Sequence, residues 1–365
     1  MELTATRRRP IIAVTGSAGK TTTKEMIAAV LRRRWSILKS AHNNNAPSAT
    51  RRHAKLIRSY HRAAVLEYGM QFYNNIKWHC QHLQPTIGVI TNVGRAHVGN
   101  FGGRIEGVAK AKSELIRYMK PSGTLLLNAD DPNSKLLHTK GFKGKIIRVG
   151  MRSHADYRAF DVKYASGGMS FKVMLNGKAH GFYIPVFGRH NILNALFAIA
   201  ISHRFGFTPQ EMQAGLRSYA RPNRRLKVHR LRRNIRLIDD SFSSNPDAAK
   251  AALDVLASVG AGPKIAVLGS MMELGRYTVK GHREVGRYAA GKKLSRLYTL
   301  GGAGRHIAAG AREAGFPAGR IYSYAGKPQL QRALSRTLES GATILIKGSH
   351  GLGMSSMVPY LKRNV

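Results

Sequence analysis

Gly16-Ser17-Ala18-Gly19-Lys20-Thr21-Thr22-Thr23 follows the apolar run Ile11-Ile12-Ala13-Val14 and precedes a helix-period segment that ends near Arg34. Strand, glycine turn, helix is the order that decides the fold class. Backbone N–H groups in such a turn, with the positive end of a helix behind them, form an anion cradle; a lysine neutralises phosphate oxygens and a hydroxyl can sit on Mg²⁺. The full Walker spacing would want glycine at Val14, so this is the shorter form G-x-x-G-K-T-T. The expected ligand is a nucleoside triphosphate. The alternative is an ordinary strand-to-helix loop with a chance Lys-Thr.

The 365 residues are enough for two domains with full cores. Lys and Arg number 60 against 18 Asp and Glu, a formal charge of +42 on a chain whose apolar fraction is an ordinary 43%. Such a field draws in anionic partners, whether nucleotide, nucleic acid, acidic polymer or membrane surface, and speaks to association rather than fold. A lineage drift toward Arg and Lys is the plain alternative. The single cysteine, Cys80, excludes an internal disulfide framework and any all-cysteine metal site. Met1 to Pro10 carries Arg7-Arg8-Arg9 with no signal-type apolar stretch after it, and no run approaches the roughly 18 apolar residues of a membrane span. The expected location is the cytoplasm.

Further along, Ser40 to Ser48 holds His42-Asn43-Asn44-Asn45-Ala46-Pro47, a polar loop, and Arg51 to Arg62 is basic and expected to be solvated. Ala63-Ala64-Val65-Leu66 runs into Glu67-Tyr68-Gly69, placing a carboxylate at the end of a buried strand. Strand carboxyl ends face the ligand crevice in open parallel sheets, so Glu67 is a candidate for Mg²⁺ or for a structural salt bridge. Thr86 to Thr91 forms the next strand, ending in Asn92, with His97 in a glycine-rich loop after it; His97 is a candidate metal ligand or an idle loop histidine.

The helix expected from Arg104 to Met119 has an apolar face of Ile105, Val108, Leu115, Ile116 and Met119. Lys112 falls four after Val108 and three before Leu115, so it points inward where Lys110 does not. Desolvation pushes a buried lysine toward the neutral amine, which reacts with carbon dioxide to give a carbamate, an anionic partner for Mg²⁺ or substrate. Pairing with Glu114 or Glu67, or snorkelling to the surface, are the other readings.

Leu125 to Leu127 and Asn128-Ala129-Asp130-Asp131-Pro132 read as another strand with a polar end. From Asp156 to Val186 short alternating strands follow, with Asn176-Gly177 as a tight hairpin turn between Met169–Leu175 and Lys178–Pro185, so a small antiparallel sheet is expected on the nucleotide domain. Gly188-Arg189-His190-Asn191 opens an apolar helix, Ile192 to Phe205, with Asn194 in its first turn. Between Arg221 and Arg236 lie eight Lys or Arg and no acid, and the domain boundary is placed there, giving domains 1–220 and 221–365. The second domain alternates strands and helices, with polar strand ends at Asp239-Asp240-Ser241, Asn245-Pro246, Gly269-Ser270 with Glu273, and Lys347-Gly348-Ser349-His350. The fold class is α/β: a P-loop type nucleotide-binding central domain with a small antiparallel sheet, then a Rossmann-like α/β C-terminal domain.

With these residues assembled, the chain resembles the Mur ligase family, in its D-alanyl-D-alanine-adding branch, from Pro10 to about Leu361. The resemblance rests on Thr15-Gly16 to Thr23, Thr91 to Gly94 with Ala96-His97, Ala111 to Glu114, Asn128 to Pro132, Gly188 to Asn191, Asp239 to Ser241 with Asn245-Pro246, and Lys347 to Ser349. It implies an ATP-dependent carbon-nitrogen ligase related to peptidoglycan synthesis: ATP phosphorylates a substrate carboxylate, an amine attacks the acyl phosphate, and an amide forms. It further implies ATP and Mg²⁺ as cofactors, with Gly16, Ser17, Ala18, Gly19, Lys20, Thr21 and Thr22 on the triphosphate, and Thr21, Glu67 and His97 on metal. Lys112 would be carbamylated and act with Lys20 and His97 in catalysis. Asn128, His190, Asn191, Asn194, Arg225, Asp240 and Asn245 would complete the ATP site, and Lys347 and Ser349 would meet the incoming amine.

Members of that family carry an N-terminal domain that grips a UDP-sugar precursor, whereas here the phosphate loop begins almost at residue 10. Ser270 stands where an aspartate is usual, and Tyr68 and Met70 replace smaller or different residues. The expectation is therefore a substrate carboxylate other than the standard UDP-MurNAc-peptide, such as a small acid, a peptide or an anionic polymer, or a separate chain supplying substrate recognition. The competing class is a non-catalytic scaffold that docks an anionic polymer or a partner protein, against which Lys20, Thr21, Glu67, His97 and Lys112 all stand intact.

Overall fold

A strand covered on both faces must be apolar throughout, and β1 (Ile11–Thr15) is buried at all five positions. The computed structural model describes residues 9–41, 44–152 and 154–365; Arg7, Arg8, His42 and Asn43, singled out in the sequence, lie outside them. By its contacts the chain divides into two units, one running to Gly94 and resuming over Arg104–Ala220, the other made of Arg95–Gly103 and Arg221–Val365.

In the first unit β1 turns into α1 (Lys20–Leu31), followed by β2 (Ile37–Lys39), α2 (Pro47–Lys55), β3 (Ala63–Glu67), α3 (Asn75–His82), β4 (Ile87–Ile90), α4 (Ile105–Tyr118), β5 (Thr124–Asn128), β6 (Lys145–Gly150), β7 (Tyr157–Ala165), β8 (Gly168–Leu175), β9 (Lys178–Ile184), α5 (Arg189–Arg204) and α6 (Pro209–Arg217). The sheet order is β2-β3-β1-β4-β5-β6-β7-β8-β9. The strands through β6 are parallel, and β1 lies between β3 and β4, so the strand order reverses there. The carboxyl ends at such a reversal open onto a crevice, which is where the glycine turn, Glu67 and Thr91 fall.

The hairpin sits on Asn176 and Gly177, both with φ in the left-handed region, as a type I′ turn requires. The small antiparallel sheet expected on this unit is formed by β7, β8 and β9, and it joins the main sheet: β7 pairs with β6 at Val149↔Tyr157 and Gly150↔Arg158 before β8 and β9 fold back. The basic stretch from Arg51 to Arg62 is likewise not all solvated. α2 takes its first residues and buries Ala49, Thr50 and His53. α5 is apolar on nearly all sides and buried along most of its length, as befits a helix with neighbours all round.

The second unit comprises β10 (Lys227–Arg230), β11 (Arg236–Asp240), α7 (Pro246–Val259), β12 (Lys264–Gly269), α8 (Thr278–Ala290), β13 (Arg296–Leu300), α9 (Gly304–Glu313), β14 (Ile321–Tyr324), α10 (Lys327–Thr337), β15 (Thr343–Lys347) and α11 (Met357–Asn364). Its sheet runs β10-β11-β15-β12-β13-β14, antiparallel only at β10–β11. Leu237, Val267, Tyr298, Ile344 and Ile346 sit in its core with Leu330, Leu334 and Leu361 from the covering helices. The segment Arg95–Gly103 is held within this unit by the Gly99 amide, which donates to the Glu273 carbonyl at 3.0 Å. A Cβ on Gly99 would fall 2.5 Å from the Gly275 nitrogen, so only glycine permits that approach. Among the described residues no helix is long and apolar enough to cross a membrane.

Candidate active site

The phosphate loop is wedged so tightly that its two glycines are obligatory. Gly16 has φ +145° and a Cβ there would meet Thr91 Oγ1 at 1.9 Å; Gly19 has φ +81° and its Cβ would meet Asn194 Oδ1 at 2.6 Å. Asn92 Oδ1 accepts from the amides of Ser17 and Ala18 at 3.1 and 3.0 Å, and the Ser17 hydroxyl donates to the Gly94 carbonyl at 2.8 Å. Ser17 and Ala18 therefore brace the loop against the end of β4. α1 begins at Lys20, so the amides through its first turn have no intrahelical acceptors and form the anion-facing edge. Lys20 Nζ donates to the Gly16 carbonyl at 2.8 Å, folded back over the turn.

Beside the loop, Thr21 Oγ1 donates to Glu67 Oε2 at 2.8 Å and Asn45 Nδ2 donates to Oε1 at 2.8 Å. The Glu67 amide donates to Ser40 Oγ at 3.1 Å. Glu67 is 2% exposed and, among the described residues, has no salt-bridge partner, which removes the structural ion pair the sequence allowed. A buried carboxylate held only by neutral donors, next to a threonine hydroxyl at a phosphate loop, is suited to a hard divalent cation. Among the described residues no three His, Cys, Asp or Glu gather as a cage. Mg²⁺ does not ask for one, since it takes one or two carboxylates and completes its shell with phosphate and water. Sequence reasoning missed Ser40, Asn45 and Lys24. Lys24 is fully buried one helical turn after Lys20, with Nζ donating to the Ser40 carbonyl at 2.9 Å and 3.1 Å from Glu25 Oε1. The signal available for it was its phase on α1.

Lys112 is 2% exposed and makes no hydrogen bond or salt bridge among the described residues. Burial pushes its ammonium well below the usual lysine range, the charge of Lys20 adds to that, and Asp131 partly opposes it. The pairings the sequence left open do not form. Glu114 accepts from the amides of Asn74 and Lys77 at 2.7 and 3.1 Å, and Glu67 is engaged as above. Asp131 Oδ2 accepts from the Val93 amide at 2.7 Å. Asn128 is buried and donates to the Thr91 carbonyl at 3.2 Å, so it ties the end of β5 to β4.

Asn194 and Asn191 form a buried relay between helices: Thr23 Oγ1 donates to Asn194 Oδ1 at 3.0 Å, Asn194 Nδ2 to Asn191 Oδ1 at 2.9 Å, and Asn191 Nδ2 to the Phe187 carbonyl at 2.7 Å. His190 stands half-buried beside Asn191 at the start of α5.

The remaining sequence candidates sit in the second unit. Lys347, 3% exposed, reaches Asp240 Oδ2 at 2.6 Å and donates to the Ser243 carbonyl at 2.9 Å. The resemblance gave these two residues to different substrates; the register pairs Asp240 directly with Lys347 on β11 and β15. Ser349 Oγ accepts from the Met272 amide at 2.9 Å, and Asn245 Oδ1 caps α7 through the Ala248 amide. The Arg225 guanidinium lies over the Phe242 ring at 4.3 Å. His97 belongs to this unit, with Nδ1 2.7 Å from Glu273 Oε2, and that contact holds the Glu273 carboxyl below its ordinary range. His282 went unnoticed in the sequence: fully buried, it donates from Nδ1 to the Thr278 carbonyl and accepts at Nε2 from the Met271 amide, fixing the loop after β12.

Two family models match: the Mur ligase middle domain over residues 14–202, and the Mur ligase, glutamate ligase domain over residues 224–350. The chain is 34% identical over 349 residues to the UDP-N-acetylmuramoyl-tripeptide–D-alanyl-D-alanine ligase of Bacillus subtilis, covering 95% of this chain and 75% of that one. It superimposes on MurF from Acinetobacter baumannii with a TM-score of 0.88 at 26% identity, covering 97% of this chain and 76% of that one. MurF of Thermotoga maritima, solved in complex with ADP, shares the fold at TM-score 0.85 and 21% identity, over 98% of this chain and 80% of that one.

Proposed function

The chain belongs to the Mur ligase family, and we propose that it joins a D-alanyl-D-alanine-type amine to the terminal carboxylate of a UDP-linked muramoyl tripeptide at the expense of ATP. One observation carries the reading: the phosphate loop holds Thr21 against a buried Glu67 that, among the described residues, makes no salt bridge. A carboxylate oxygen of the acyl substrate attacks the γ-phosphorus and the bond to ADP breaks. The amine nitrogen then attacks the carbonyl carbon, phosphate leaves with its bonding pair, and the nitrogen gives up a proton.

Phosphoryl transfer asks mainly for positioning and for cations against spreading negative charge. Lys20 with the leading amides of α1 would hold the phosphates. Thr21 and Glu67 would hold Mg²⁺, which supplies charge neutralisation at the transferring group. Asn128, Asn191 and Asn194 fix the walls of the loop. The Lys112 amine would add carbon dioxide, forming an N–C bond and releasing a proton, and so present an anion where it now presents an unpartnered base. Arg225, Asp240, Asn245, Lys347 and Ser349 are assigned nucleotide and amine roles at the strand ends of their own unit.

The test is phosphate release from ATP and Mg²⁺ with UDP-MurNAc-tripeptide and D-alanyl-D-alanine, run beside a panel of other carboxylates and amines. Amine-dependent release with the matching amide mass is expected, and Lys20→Ala should abolish it. Release with a different carboxylate alone would keep the ligase and move its substrate; no release with any pair, despite ATP binding, would overturn the ligase reading.

A further inference from the structure

β3 ends at Glu67, and Tyr68 and Gly69 run on past it. The Tyr68 amide still donates to the Val14 carbonyl at 2.9 Å, whereas the Gly69 carbonyl lies beyond the last rung and needs a donor from elsewhere. His79 on α3 supplies one: its Nε2 is 3.1 Å from that carbonyl, and its Nδ1 is 2.6 Å from Thr50 Oγ1 on α2. A carbonyl only accepts, so the proton sits on Nε2 and the bare Nδ1 accepts from the Thr50 hydroxyl. The ring is fully buried and stacked on Tyr68, with centroids 4.5 Å apart and planes 13° from parallel. Tyr68 is itself tied through its hydroxyl to the Leu83 carbonyl. Tautomer and ring orientation are therefore both fixed.

Gly69 passes this restraint on. Its amide donates to the Asn45 carbonyl at 2.9 Å, and a Cβ on Gly69 would fall 2.6 Å from that oxygen and 2.8 Å from Asn45 Cγ. Asn45 lies in neither a helix nor a strand, so contacts of this kind hold it in place. Its Nδ2 donates to Glu67 Oε1 at 2.8 Å, which leaves Oε2 as the oxygen beside Thr21 at the phosphate loop. Three hydrogen bonds in series thus lead from α3 to Glu67. A histidine that merely filled the space would be a costly choice, because an apolar side chain could pack on Tyr68 without giving up hydration. What the imidazole adds is the donor to Gly69.

We propose that His79 is a positioning residue for Glu67: through Gly69 and Asn45 it fixes which carboxylate oxygen is turned to the phosphate loop, and so sets the affinity for Mg²⁺ there. The role rests on the reading of Thr21 and Glu67 as the Mg²⁺ pair. Partners that orient a metal's ligands commonly matter to affinity nearly as much as the ligands do.

The experiment is calorimetric titration of ADP into the full chain, in Mg²⁺ and in EDTA; the ratio of the two dissociation constants reads the metal without turnover. His79→Asn puts an amide near the place of Nδ1, within reach of Thr50 but short of Gly69, whereas His79→Gln puts one near Nε2 and keeps the donor to the Gly69 carbonyl. The Asn variant should lower the Mg²⁺ enhancement by about tenfold or more and the Gln variant should hold it within about threefold of wild type, with affinity in EDTA unchanged within about twofold for both. Thr50→Val removes only the hydroxyl that orients the ring and should lower the enhancement several-fold, which decides the matter if the histidine variants do not fold. In phosphate release, the Mg²⁺ concentration for half-maximal rate should rise in the same order while the KM values of the acyl and amine substrates stay put. Glu67→Gln is the control and should remove most of the enhancement. If it does, and the Asn and Gln variants either both keep the enhancement or lose it equally, His79 is a core side chain and the positioning role is wrong while the Mg²⁺ reading stands. Enhancement untouched by Glu67→Gln would overturn the Mg²⁺ reading, and the positioning role with it.

Discussion

Lys112→Met removes the amine while keeping most of the buried stem, and the structure says this should help the fold while ending the chemistry. At neutral pH the unfolded chain carries a charged lysine at this position, whereas the folded chain has buried the group with no hydrogen-bonding partner. Folding therefore works against either a buried charge or the deprotonation of a base, at about 1.4 kcal/mol for each unit of depression. Replacing buried charge by well-packed apolar atoms is often stabilising by about 1–4 kcal/mol, so a gain of that order and a rise of several degrees in Tm are expected. The pH dependence fixes the mechanism. Because the folded value lies below the unfolded value of 10.5, the unfolded state binds more protons between the two, and wild-type stability rises with pH across that window. The advantage of the variant should be full below the window and gone above pH 10.5. Urea unfolding of both proteins from pH 7 to 10.5 in carbon dioxide-free buffer measures this, and phosphate release measures the loss of turnover. Added bicarbonate should stabilise the wild type alone if the amine forms a carbamate. A variant destabilised by more than about 1 kcal/mol, with the same pH slope as wild type, would show Lys112 to be a packing strut and refute the reasoning.

Gly19→Ala should destabilise by about 1–3 kcal/mol and weaken ATP binding at least about tenfold, because the new Cβ combines positive φ with a 2.6 Å approach to Asn194; an unchanged melting temperature and KM would mean the loop yields. Lys347→Met should cost about 3–5 kcal/mol by stranding Asp240, and Lys347→Met with Asp240→Leu should recover much of it in denaturant titration; a double variant no better than the single one would mean the two do not act as a pair. His79, held at about 4 by burial, is stacked on Tyr68 at 4.5 Å behind Glu67. Its folded value is below the unfolded 6.5, so stability should fall by on the order of 3 kcal/mol as pH drops from 6.5 to 4, and His79→Gln should flatten that limb of the unfolding curve.

The features legible in the sequence are those whose signal is local. A strand, two obligatory glycines and a lysine at fixed spacing read as a phosphate loop without any knowledge of partners, and the inward turn of Lys112 follows from counting along one helix. α2 was not legible because its buried face amounts to Ala49, Thr50 and His53 among arginines, too weak for periodicity to detect. The continuation of the main sheet through β7 rests on two paired residues, and no alternation pattern encodes such a junction. Lys347 and Asp240 lie 107 positions apart and meet only because β15 inserts between β11 and β12, a choice of strand order that neither strand records. His97 follows β4 in the chain, and its segment is held by Glu273 and Gly275 through contacts that no local pattern announces.

The charge balance explains how the acids are used. With 18 carboxylates among 60 Lys and Arg, surface pairing could absorb every acid and contribute little, since exposed pairs are worth about 0–1 kcal/mol each. Beside the acids that do pair with Lys or Arg, several sit where a loop leaves amides unmatched. Asp130 accepts from Met151 and Arg152, Asp131 from Val93 and Asn133, Asp156 from Arg148, Glu114 from Asn74 and Lys77, and Asp240 from Leu226. A carboxylate accepting a backbone amide makes a charge-assisted bond that a lysine or arginine cannot replace, because neither carries an acceptor. Drift toward basic residues could therefore proceed over the rest of the surface while stopping at these positions. The same logic isolates Glu67. Its oxygens are taken by a hydroxyl and a side-chain amide rather than by the backbone, so it holds no loop together and is placed to serve what binds beside the phosphate loop.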